Sequence, residues 1–169
     1  MSHGEDYATQ VEALYRQYAD DVLRVSYFYL GDRGKAEDVT QDVFIRLMEN
    51  QPVLKAGSEK SWLLKVALNL CRDLWRSAWA RRVILGSKKL EILPAHDDID
   101  NRLEKEALMQ AIHGLPPEVR EVFILFYYQG YSIEDIAAML EVPAGTIASQ
   151  LSRGRKKLKV MLEEETTGG

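Results

Sequence analysis

Thr146, Ser149, Gln150, Ser152, Arg153, Lys156 and Lys157 are seven of the polar side chains between positions 146 and 157, a stretch with no acidic residue. All seven donate hydrogen bonds, and Thr146, Ser149, Gln150 and Ser152 also accept them. That is the repertoire for reading base edges, while the lysines can neutralise phosphates. Ile147, Leu151, Gly154 and Leu158 recur at steps of four, three and four in the same stretch. The spacing predicts a helix with those four turned to the protein and the polar arc turned outward. A solvated basic face is the default for an isolated helix of this kind, so the preceding elements must decide.

They do so at each boundary. Pro116-Pro117 can open a helix, with Glu118 and Glu121 suited to its positive end, and the run 119–129 is apolar at Val122, Phe123, Phe126 and Tyr127. Gly130 can stop it in the left-handed conformation, and Ser132 with Asp135 has the form of a capping box for a new helix from Ile133. Ile136, Ala137 and Leu140 then share a face. Pro143 ends this short helix and can serve as the first residue of the next. Two short helices around a tight turn, the second basic, form a helix-turn-helix, whose second helix fits the major groove of duplex DNA.

The chain has 169 residues, a net charge of −4 and 46% hydrophobic residues, enough for one packed domain or two small ones. Divided along the sequence, the charge is uneven. Residues 61–90 hold seven basic and one acidic side chain, and 143–162 hold five basic and none acidic. Two cationic islands in an acidic chain suggest two contacts with one polyanion, the remainder suppressing casual binding. No apolar run approaches a membrane span, and Met1 to Gln10 is polar rather than signal-like, which points to a soluble, cytoplasmic protein. Cys71 is single, and His3, His96 and His113 are scattered, so no disulfide or metal cluster is indicated and no cofactor is expected.

The rest of the chain reads as helix throughout. Val11, Leu14, Tyr15, Tyr18, Val22, Val25 and Tyr29 recur at three- and four-residue steps over 7–30, and the Gly31–Gly34 cluster ends that helix. A second amphipathic segment, 36–48, packs Val39, Val43, Phe44 and Leu47 inward and leaves Asp38, Gln41, Asp42, Ile45 and Arg46 outside. An exposed Ile among acids suits a protein-binding face, against the default of a solvated surface. Residues 50–60 form a loop, and Ser61 can cap a third helix over 62–82, where Trp62 and Trp75 stand among Lys65, Asn69, Arg72 and Arg76. Rings among arginines suit unstacked bases, against a core role for each tryptophan. Residues 83–100 read as a flexible linker, and helix returns at 99–113 with Leu103, Ala107, Leu108, Ala111 and Ile112 inward. The expectation is an all-α protein of two small helical domains, 1–82 and 101–169, the second a helix-turn-helix.

Four segments stand in the order found in bacterial RNA polymerase sigma factors: Ala36-Glu37-Asp38-Val39-Thr40-Gln41-Asp42-Val43-Phe44, Trp62-Leu63-Leu64-Lys65-Val66-Ala67-Leu68-Asn69, Leu115-Pro116-Pro117-Glu118-Val119-Arg120-Glu121-Val122-Phe123 and Val142-Pro143-Ala144-Gly145-Thr146-Ile147. The chain resembles the minimal extracytoplasmic-function (ECF) group from about Tyr7 to Leu162. The resemblance implies that Asp38, Gln41, Asp42, Ile45 and Arg46 dock on the clamp helices of the polymerase largest subunit, with a further contact to the flap. It implies that the 50–60 loop and the helix after it melt the minus-ten element and hold flipped bases. Asn69 matches a base-contacting asparagine, Lys65, Arg72 and Arg76 would hold backbone, and Lys60 joins them in binding the minus-ten element. Thr146 to Lys157 would enter the major groove of the minus-thirty-five element. Group members are usually held inactive by an anti-sigma protein, often membrane-anchored, and none takes a small-molecule substrate.

The sequence departs from the group at Ala148 and Gln150, where many members are basic, and at Glu141, where a turn glycine is common. Gln150 can instead pair with an adenine edge. Two other readings compete: a free-standing helix-turn-helix regulator, and a nucleic-acid enzyme, the latter disfavoured because the acids sit on helix exteriors or in the linker.

Overall fold

A computed structural model describes residues 3–85 and 110–167, and the side chains of 6–77 and 110–163 within them. Every regular element among the described residues is a helix, and the chain divides into two compact units, 1–89 and 90–169.

The N-terminal unit is built by α1 (His3–Leu30), α2 (Arg33–Asn50) and α3 (Glu59–Leu85). Val11, Val22, Val25 and Tyr29 of α1 pack on Val39, Val43, Phe44 and Leu47 of α2 and on Leu63, Leu64, Leu68 and Cys71 of α3, all buried. Gly31, at φ 71°, stops α1, its N–H donating to the Tyr27 carbonyl at 2.7 Å. Asp32 then caps α2 by accepting the Lys35 N–H at 3.0 Å. The second helix therefore begins three residues before the 36 expected from apolar spacing. The third also begins early. Ser58 stands before its first residue and its carbonyl accepts the Trp62 N–H, whereas Ser61, expected as the cap, lies inside the helix and donates its hydroxyl to that same Ser58 carbonyl. Residues 83–85, expected in the linker, are the end of α3, and the rest of that segment lies outside the described residues, as does 99–109 of the helix expected beyond it.

In the C-terminal unit, residues 110–113 are helical, with Ala111 and Ile112 buried. Next come α4 (Pro117–Phe123), a five-residue π turn Ile124–Tyr128 that continues it, α5 (Ile133–Leu140) and α6 (Ala144–Thr167). Pro117 occupies the first turn of α4. The π turn corrects the face expected for this segment: Ile124 and Leu125 are buried with Val122 and Phe123, while Phe126 is half-buried and Tyr127 exposed. A wider turn adds a residue between successive contacts and so rotates the apolar face off the 3.6-residue period. The Gln129 N–H closes the turn on the Ile124 carbonyl at 3.0 Å, and Gly130 follows at φ 78°.

Candidate nucleic-acid interface

Ser132 caps α5 through its side chain, accepting the Asp135 N–H at 3.0 Å. The turn to α6 is made by Glu141 at φ 58°, ψ 45°, a left-handed conformation in which the Glu141 and Val142 N–H groups both donate to the Ala137 carbonyl. A Cβ in that region costs on the order of 1 kcal/mol against glycine, and here a glutamate sustains it. Pro143 precedes α6 by one residue rather than opening it. Its carbonyl accepts the Thr146 and Ile147 N–H groups at 3.0 and 3.3 Å and starts the helix.

Helix α6 buries Ile147, Leu151, Gly154 and Leu158, as its spacing predicts. Gly154 sets the depth of that packing. A Cβ built there would lie 2.2 Å from Phe123 Cε2 and 2.8 Å from Val119 Cγ1, so α6 approaches α4 as closely as a helix without a side chain allows. Ser149, Ser152, Arg153, Lys156 and Lys157 are exposed on the other side, and Thr146 and Gln150 are half-buried at its edge. The structure thus brings all seven predicted residues to one outward arc of one helix. Arg155, outside that set, donates from Nε to the Tyr127 hydroxyl and ties α6 to the π turn.

A residue that sequence reasoning passed over holds this unit together. Arg120, 1% exposed, donates to the carbonyls of Ile112 at 3.3 Å, His113 at 2.7 Å and Leu115 at 3.1 Å. From inside α4 it satisfies carbonyls at the end of the preceding helix, Ile112 and His113, and in the turn that follows it, Leu115. The available signal was an arginine flanked by Val119 and Val122, where an exposed residue would break the apolar face.

The N-terminal unit carries a second such stripe. Lys65, Asn69, Arg72 and Arg76 follow one another on α3 at steps of four, three and four, about 100° around the helix from the buried row of Leu64, Leu68 and Cys71. Asn69 and Arg76 are exposed, and Lys65 and Arg72 half-buried. Trp62 and Trp75 are both half-buried, Trp75 packing edge-on against Tyr29 with centroids 6.4 Å apart. Lys60 is separated from this stripe, for its ammonium lies 4.0 Å from Asp21 of α1.

On α2, Asp38, Gln41, Ile45 and Arg46 are exposed and Asp42 half-buried, with Arg46 Nε donating to Asp42 Oδ1 at 3.4 Å. Ile45 is 52% exposed, and Met48, three residues on, extends the same apolar strip, which its i, i+3 spacing could have indicated. Among the described residues no group of His, Cys, Asp and Glu could hold a metal ion, and no helix is long and apolar enough to cross a membrane.

Comparison with known proteins agrees with this division. Residues 14–81 match the family model for sigma-70 region 2, and residues 105–158 that for sigma-70 region 4. The chain is 32% identical over 162 residues to the ECF RNA polymerase sigma factor SigL of Mycobacterium tuberculosis, covering 93% of this chain and 91% of that one. It is 33% identical to the ECF sigma factor SigE of Mycolicibacterium smegmatis, covering 92% of this chain but 63% of the longer relative. Among solved structures, the sigma factor RpoE of Bartonella quintana, in complex with the anti-sigma factor NepR, has the same fold, with 24% identity, coverage of 94% and 98%, and a TM-score of 0.71. CnrH, in complex with the cytosolic domain of CnrY, gives 20% identity, coverage of 95% and 92%, and a TM-score of 0.70. A match of the N-terminal unit to region 2 disfavours a free-standing regulator, and the relatives are sigma factors rather than enzymes. With both regions matched in order and a relative aligned over nearly its whole length, the chain belongs to the ECF RNA polymerase sigma factors.

Proposed function

We propose that this chain is a promoter-specificity subunit, which joins core RNA polymerase in the cytoplasm, reads two promoter elements and promotes their opening. One observation carries the reading: each unit presents a polar and basic stripe at steps of four, three and four off a buried face, Lys65, Asn69, Arg72 and Arg76 on α3 and Thr146, Gln150, Arg153 and Lys157 on α6. On α6 the stripe reads the minus-thirty-five duplex, Arg153 and Gln150 contacting bases while Lys156 and Lys157 hold phosphates. On α3, Asn69 contacts an extruded minus-ten base, and Lys65, Arg72 and Arg76 hold the backbone of the separated strand. The loop 51–58 receives a flipped base, and Lys60 sits at its end.

Opening proceeds without hydrolysis, so the gain from capturing extruded bases must offset a few kcal/mol per unstacked step. The α2 strip Asp38, Gln41, Asp42, Ile45 and Arg46, extended by Met48, docks on the clamp helices of the largest subunit, and the C-terminal unit meets the flap. An anti-sigma protein covering these surfaces is the expected restraint, in keeping with the NepR complex of the Bartonella quintana protein. The mechanism needs no catalytic group, metal or small-molecule substrate. Gel shifts on a promoter library, with and without core polymerase, test the reading. Tight, selective binding is expected only when core enzyme is present, and equally tight binding by the chain alone would count against it.

A further inference from the structure

Residues 51–58 join α2 to α3 without regular structure. The rear of this loop is shaped from within: the Ser58 hydroxyl donates to the Lys55 carbonyl at 2.7 Å, and the Gly57 N–H to Glu59 Oε2 at 2.9 Å, with Gly57 at φ 89°. The front is held differently. Pro52 has no N–H, so its carbonyl is its one backbone handle. Tyr7, from the first turns of α1, donates its hydroxyl to that carbonyl at 3.0 Å across 45 residues of sequence. The next residue, Val53, is 100% exposed, which leaves its side chain without packing of its own to fix where it points.

At the far end Lys60 approaches Asp21, also on α1, about 21 Å further along at 1.5 Å per residue. The loop and the start of α3 are therefore fastened to α1 at two points, Tyr7 and Asp21, and Tyr7 is the front fastening. Burial raises the Tyr7 hydroxyl above the ordinary tyrosine pKa, so it stays protonated and a donor.

We propose that Tyr7 is a positioning residue for strand separation: by holding the Pro52 carbonyl it fixes the attitude at which Val53 meets an extruded base. The inference rests on the base-receiving role proposed above for this loop. Val53 offers an apolar surface to the face of a base and no hydrogen bond, so its contribution depends on backbone placement alone. A surface already in place does not have to be ordered at the moment of capture, and that ordering would otherwise subtract from the gain.

Tyr7→Phe removes the hydroxyl and keeps the ring. It is tested with core polymerase on a promoter that the unaltered chain opens, reading permanganate reactivity of the minus-ten thymines. Opening is expected to fall about 5- to 10-fold, the factor one ordinary hydrogen bond supplies, with core affinity and upstream duplex binding within about twofold. Val53→Ala is expected to lower opening as well, and the double variant no further than Val53→Ala alone, because Tyr7 acts through the loop. Unchanged opening by Tyr7→Phe, or effects of the two substitutions that multiply, would overturn the proposal. So would an equal loss of core binding with a lower Tm, which would mark Tyr7 as a contact of the fold. If the unaltered chain opens no promoter with core enzyme, the sigma reading fails along with it, and the lane without substitutions distinguishes that result from the others.

Discussion

Helices α3 and α6 carry one device in two settings. Both bury one face and present polar and basic residues at four-three-four spacing off it, yet they differ in how they are seated and in what flanks the stripe. On α3 the ladder is aliphatic, Leu63, Leu64 and Leu68, packed among three long helices, and half-buried Trp62 and Trp75 accompany the stripe. On α6 the seat is a backbone approach at Gly154, and the arc beside Arg153 is of short polar side chains. Large rings beside arginines suit separated strands whose bases lie open, whereas short donors and acceptors on a slim helix suit the edges of paired bases in a groove. The difference lies in the neighbours of the charges more than in the charges.

Substitutions that separate the two seats have the largest expected effects. Arg120→Met takes the guanidinium away from three carbonyls, of which that of Ile112 keeps a second donor in the Leu115 N–H, and is expected to cost the C-terminal unit about 2–4 kcal/mol, read as a loss in its thermal transition while the N-terminal unit is unchanged. Gly154→Ala forces a methyl into Phe123 and should cost about 1–3 kcal/mol in the same unit; an unshifted Tm would mean that α6 is not seated as described. At the stripes, Arg153→Ala is expected to lose about 1–3 kcal/mol of binding at one upstream position, whereas Asn69→Ala should leave duplex binding intact and reduce thymine reactivity to permanganate. Equal losses of both activities in both variants would erase the distinction. Lys157→Ala should weaken all sequences alike and lower the salt slope by roughly one. The smallest effect is a gain: Glu141→Gly relieves a left-handed glutamate and should add about 0.5–1 kcal/mol to stability.

The C-terminal unit was the more legible of the two. Ser132, Gly130 and the ladder from Ile147 to Leu158 are local signals, and each acts locally in the folded chain. The outward arc of α6 followed, because a helix with one buried side has one free side. What escaped depended on contacts far along the chain or on irregular backbone. The π turn at 124–128 breaks the period on which the inward residues of that segment were predicted. Arg120 looks like an ordinary surface charge until its three carbonyl partners are folded onto it. Ser61 has the right residue type for a cap and the wrong position, since the chain turns three residues earlier at Ser58. The resemblance places Lys60 with the α3 stripe, whereas its ammonium approaches Asp21 on another helix. Residue type indicated what each side chain can do, and only the fold indicated where the loop before α3 is fastened.

The central claim is that these two stripes work for polymerase and do nothing useful without it. Run-off transcription by purified core RNA polymerase on a genomic promoter library, with and without the chain, tests it most directly. The account predicts new start sites that appear only when the chain is added and that vanish together when Arg153 and Asn69 are both replaced by Ala. An unaltered set of start sites on addition of the chain would contradict it.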